Sequence, residues 1–151
     1  MAFKEIRVIS EKFSKIGNEI IEKAPELEKV CAYIKAGRIK VLFLESNKAK
    51  KKTGGRVFGE CSKVSDSMRW AVDADFTITI FIPNCEMFHF DSEKYKVLLL
   101  HELLHIGLAT SDKGALQKYV VPHDVQEFSL IADKYGYDWS EPDKQLEFNF
   151  E

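Results

Sequence analysis

Between Glu11 and Ala36, apolar residues recur at three- and four-residue steps: Phe13, Ile16, Ile20, Ile21, Leu27 and Val30. That period predicts helix. Pro25 divides the stretch into two helices, because proline suits a helix's first turn and breaks its interior, and Gly37 supplies a stop. The pattern then changes. Arg38 to Leu44 and Arg56 to Ser62 read as strands, and Phe76 to Ile82 (FTITIFI) is the strongest strand, with Phe76, Ile78, Ile80 and Ile82 alternating onto one face. Pro83 and Asn84 close it. From Ser92 to Ala109 the chain reads as a helix apolar on nearly every side, which marks a buried element. A connection from Thr110 to Pro122 holds a short strand at Lys118 to Val121. A last helix runs from Val125 to Tyr135 and stops at Gly136. The order helix, three strands, helix, helix predicts an α+β domain with a small antiparallel or mixed sheet of about three to four strands. It divides into a helical part, 1–37, a core, 38–139, and an acidic tail, 140–151.

Length and charge narrow the picture. A chain of 151 residues suits one domain that needs no covalent staples. The net charge of −2 argues against a protein built mainly to coat nucleic acid. Cys31, Cys61 and Cys85 are widely spaced and form no C-x-x-C pair, so three reduced thiols in a cytoplasmic protein are expected. The charged N-terminus lacks the apolar core of a signal peptide. No apolar run approaches a membrane span.

Inside the most apolar helix lies His101-Glu102-Leu103-Leu104-His105, which matches H-E-x-x-H. Residues four apart share a helix face, so two imidazoles at this spacing can converge on one Zn²⁺. Glu102 beside them can act as general base toward a water activated by the metal. Burying two imidazoles and a carboxylate without partners is costly, and a metal supplies the partner.

Catalytic zinc usually takes three protein ligands and keeps one open position. Two candidates follow the motif: His123 and Glu127, in Val121-Pro122-His123-Asp124-Val125-Gln126-Glu127-Phe128. Asp124 and Glu127 have the spacing of a helix N-cap and its capping partner, which gives Glu127 a structural job and favours His123. Asp124 either caps that helix or orients a ligand histidine from behind. His89 is expected to be an exposed loop residue.

Val97 to Gly107 together with Pro122 to Phe128 resembles the putative phage metallopeptidase family, found in phages, prophages and related prokaryotic genomes. More distantly these residues are similar to the SprT-like zinc peptidases. The resemblance covers roughly Ile39 to Trp139. It implies a zincin-type core with His101, His105 and His123 as zinc ligands and Glu102 as base, and leaves the substrate open; a protein or peptide is the expected one. The chain departs from SprT-like proteins in lacking a zinc ribbon and in carrying Asp124 where glycine commonly follows the third histidine.

Other signals are weaker. Lys48, Lys50, Lys51, Lys52 and Arg56 make a basic stretch that reads as a solvated loop, with phosphate contact to nucleic acid as the alternative. Arg69, Trp70 and Tyr119 are expected in core or rim packing, with oxyanion stabilisation as the alternative. The strand Phe76 to Ile82, just before the motif helix, is a candidate sheet edge for an extended peptide. The leading reading is thus a zinc metallopeptidase. Its competitors are a protein- or DNA-binding phage module with a structural zinc, and a hydrolase of some other amide bond.

Overall fold

The computed structural model describes residues 3–52, 55–122, 129–135, 139–142, 145–148 and 150. In chain order the elements are β1 (Arg7–Ile9), α1 (Glu11–Lys23), α2 (Glu28–Lys35), β2 (Val41–Ser46), β3 (Lys51–Lys52) and β4 (Gly55–Arg56). They continue with β5 (Gly59–Lys63), β6 (Phe76–Phe81), α3 (Ile82–Met87), α4 (Ser92–Leu103), β7 (Ile106–Thr110), β8 (Leu116–Val120) and α5 (Ser129–Tyr135). The fold is mixed α+β. Ser10 starts α1 by accepting a hydrogen bond from the Phe13 amide (3.0 Å), as an N-cap serine does. Pro25 opens a single 3-10 turn that separates α1 from α2, the break expected of proline.

Four strands form the main sheet in the order β1-β2-β6-β5. β2 and β6 run parallel, with Phe43 opposite Ile78, whereas β1 on β2 and β5 on β6 are antiparallel. Helices α1 and α4 pack on each other, α1 against β2 and α4 against β5 and β6. Phe13, Phe43, Phe76, Ile78, Ile80, Leu99 and Leu103 fill the layer between and are all 2% exposed or less. The approach of α1 to β2 depends on Gly17, since a Cβ there would come within 2.9 Å of three Phe43 ring carbons. Leu146, Phe148 and Phe150 of the C-terminal segment pack back on this core. Among the described residues no helix is long and apolar enough to cross a membrane.

Three sequence expectations give way. β6 lies between β2 and β5, so Phe76 to Ile82 is no sheet edge, and Ile82 opens α3 instead of ending the strand. β1, only three residues long, has no pattern to announce it. The motif helix ends at Leu103, not Ala109, and Ile106–Thr110 pairs with Leu116–Val120 as a hairpin. Gly114, at φ 79, turns that hairpin, and the Val121 amide donates to the His105 carbonyl (2.6 Å). A short apolar run fits a buried helix or a buried strand equally well. Pairing with a partner strand decides the matter here. The expected last helix appears as α5 from Ser129, and 125–128 lie outside the described residues.

Candidate metal centre

The site forms where α4 gives way to β7. His101 and Glu102 occupy the last turn of α4, and His105 follows its C-cap, Leu104. The His105 amide still donates to the Glu102 carbonyl (3.1 Å), a tighter turn that carries the helical path one step further. Both histidines therefore come to the same side. Their ring centroids are 5.1 Å apart and the rings stand edge to face.

The three side chains converge. Glu102 Oε1 lies 3.4 Å from His101 Nε2 and 4.0 Å from His105 Nε2. One ligand atom from each of the three falls within 4.8 Å of the others. The side chains are 12%, 4% and 14% exposed in that order, so the group is recessed but reachable.

His105 is oriented from behind. Its Nδ1 lies 2.6 Å from the Val121 carbonyl oxygen. A carbonyl only accepts, so Nδ1 carries the proton, and in the neutral ring the Nε2 lone pair is left to face Glu102. This is the arrangement that aims a ligand imidazole at a metal. It exists because the register Ile106 opposite Val120 extends one step to His105 and Val121. The strand that replaces the end of the expected helix is thus what fixes the ring.

A cleft of about 410 Å³ opens on this group. Its floor is Leu98, His101, Glu102 and His105. One wall is the start of edge strand β5, Gly59 to Cys61, and the rim includes Lys50, Lys52 and Arg56 from the β3–β4 hairpin. Gly59 lets β5 come close: a Cβ there would sit 3.2 Å from the Thr79 carbonyl oxygen and 3.4 Å from Glu102 Cγ. Burial, and then the Glu102 carboxylate, push the Cys61 thiol up, so it stays protonated at neutral pH.

The other residues singled out in the sequence stand as follows. Arg69 pairs with Asp75, Trp70 is 86% exposed, and the Tyr119 ring covers Gly107, so none of the three lines the cleft. His89 is an exposed residue at the end of α3 with φ 55. His123, Asp124 and Glu127 lie outside the described residues. The basic stretch is a paired hairpin whose Lys50, Lys52 and Arg56 reach the cleft.

Sequence reasoning missed Asn84. Fully buried in α3, it donates from Nδ2 to the carbonyls of Lys50 and Val57 (2.8 Å each) and accepts from Arg56 Nη1 (3.0 Å). It pins both ends of the basic hairpin. An asparagine directly after proline reads as a turn residue, so only its burial reveals the clamp.

The sequence profile of the family described as "Putative phage metallopeptidase" matches residues 7–146. The chain belongs to that family. No curated protein and no solved structure matches it. Membership of the phage metallopeptidase family implies a metal ion. The donor chemistry fits: two imidazoles, one fixed in tautomer by Val121, converge beside a carboxylate in a recessed cleft. A nitrogen-rich set of this kind suits a borderline cation better than magnesium or calcium, which prefer oxygen.

Proposed function

We propose that this protein is a zinc-dependent peptidase acting through Glu102. The observation that carries this reading is the convergence of His101, Glu102 and His105 at the floor of an open cleft. His101 and His105 would hold the metal through Nε2, with His123 as the third ligand proposed from sequence. When bound, zinc polarises the scissile carbonyl and acidifies the attacking water.

The chain's own groups do the rest. The Glu102 carboxylate takes one proton from the water as the remaining hydroxide adds to the carbonyl carbon. The same carboxyl group returns that proton to the departing nitrogen as the C–N bond breaks, giving a carboxylic acid and an amine. Glu102 is 4% exposed, so this transfer takes place out of bulk solvent, where a placed acid–base group is most effective. The Val121 carbonyl holds the His105 ring steady throughout. Edge strand β5 runs along the cleft wall and offers main-chain groups to an extended peptide.

The test is Glu102→Gln. The variant should keep the wild-type metal content and lose hydrolysis of casein or a peptide mixture by about 10²–10⁴-fold. Undiminished turnover would rule out the assigned base. Absence of turnover in the metal-loaded wild type, across peptide mixtures, would favour a non-catalytic metal module.

A further inference from the structure

The cleft has an uneven charge distribution. Its floor carries the histidines and Glu102, while its rim carries Lys50, Lys52, Arg56 and one acid, Glu60. Glu60 is already balanced twice, by Lys50 Nζ at 2.5 Å and Arg7 Nη1 at 3.0 Å. Among the described residues, neither Lys52 nor Arg56 pairs with an acid. Arg56 is nonetheless held in place, since its Nη1 donates to the buried Asn84. The same asparagine ties down the carbonyls of Lys50 and Val57, so the hairpin is anchored on both strands. Among the described residues, two cations without an acidic partner thus stand at the mouth of a cleft that leads to the proposed catalytic group, Arg56 held by Asn84 and Lys52 carried on the anchored hairpin.

From this we infer that the cleft takes an acidic segment of a polypeptide, with Lys52 and Arg56 meeting its carboxylates. The inference rests on the peptidase reading and names its substrate class. An acidic polypeptide fits better than a nucleic acid on two counts. The cations are two points at a recessed opening, whereas a phosphate backbone is tracked by a continuous basic groove. The aromatic residues of the cleft are not free to stack bases: Trp139 is 4% exposed, and Phe58 packs on Phe88 and Phe90 with centroids 5.0 and 4.9 Å away. Edge strand β5 can meanwhile pair with the main chain of a peptide whose side chains reach the rim.

The experiment measures binding by fluorescence anisotropy to full-length, metal-loaded Glu102→Gln protein. The probes are labelled peptides of about ten residues that differ only at a central pair: Glu-Glu, Gln-Gln or Lys-Lys. The Glu-Glu peptide should bind about fivefold tighter than Gln-Gln, the Lys-Lys peptide more weakly than either, and the preference should fade as salt rises. Added to this protein, Lys52→Glu should bring the Glu-Glu to Gln-Gln ratio to one or below. Lys52→Gln is the second variant should the reversed charge disturb folding. Equal binding of the three peptides, or an unchanged ratio in both Lys52 variants, overturns the inference. So does an oligothymidylate of similar length that displaces the Glu-Glu peptide. Charge-selective binding with no cleavage by the wild type refutes the peptidase reading alone. Cleavage without charge preference refutes only the substrate class.

Discussion

The floor and the rim of the cleft are built in opposite ways. On the floor, Glu102 is buried and the two histidines are recessed, and one ring is fixed by a main-chain carbonyl: His105 Nδ1 on Val121. At the rim, the cations are exposed or half-buried, and one side chain, Asn84, grips both the Arg56 guanidinium and the backbone of the hairpin that bears them. Backbone carbonyls cannot be altered by a point substitution, whereas rim side chains can. The difference suggests a division of labour in which chemistry sits where the fold over-determines the geometry, and selectivity sits where a single residue can be exchanged cheaply.

Four substitutions sharpen or break that contrast. The largest effect is expected on the floor, from His105→Ala, which removes a proposed ligand while Val121 keeps its strand pairing. Hydrolysis should fall to background, with the loss of structure confined to the site and little change in the far-ultraviolet circular dichroism. Asn84→Ala comes next. It leaves the Val57 carbonyl without its donor and Arg56 Nη1 without its acceptor, while the Lys50 carbonyl keeps the Val57 amide, a cost of about 1–3 kcal/mol, to be read from urea unfolding. Unlike the floor variant, it should shift stability more than the intrinsic rate.

Gly59→Val tests the wall between the two regions. Its side chain would press on the Thr79 carbonyl and on Glu102 Cγ, and overpacking of this sort costs about 1–3 kcal/mol when neighbours cannot yield. Turnover should drop with modest loss of stability; normal turnover would mean that the wall is soft. The smallest effect concerns Asp75, away from both. Burial pushes its carboxyl up, but hydrogen bonds from Lys118 and the Lys40 amide and the charges of Lys118 and Arg69 outweigh this and hold it below the ordinary value. A carboxyl lowered on folding stabilises above its unfolded pKa, near 3.8, and that contribution is lost as pH falls through the folded value. Melting temperature should therefore decline below about pH 4, and Asp75→Asn should flatten that decline.

How much of this was legible in the sequence follows the same division. The start of the helix with the motif, the FTITIFI strand and the Pro25 break are local patterns, and they appear within a residue or two of their expected places. The pairing of His101 with His105 was readable because four residues are one turn. What was not readable depends on partners distant in sequence. The end of α4 is set by β8, some fifteen residues on. The interior position of β6 is set by β2, reached through a parallel pairing that no periodicity specifies. The basic stretch read as a loose loop because its anchor, Asn84, lies almost thirty residues away. The floor's side chains lie in one segment, whereas the rim's cations and their anchor lie in two.

The most direct test of the account is the metal content of the purified protein. Elemental analysis should find one equivalent of zinc per chain in the wild type, and it should be lost in His101→Ala and His105→Ala proteins that remain folded. Zinc removed by a chelator should take hydrolysis with it, and re-addition should restore both. A folded wild-type protein that holds no stoichiometric metal when zinc is supplied, or histidine variants that bind it as well as the wild type, would contradict the account.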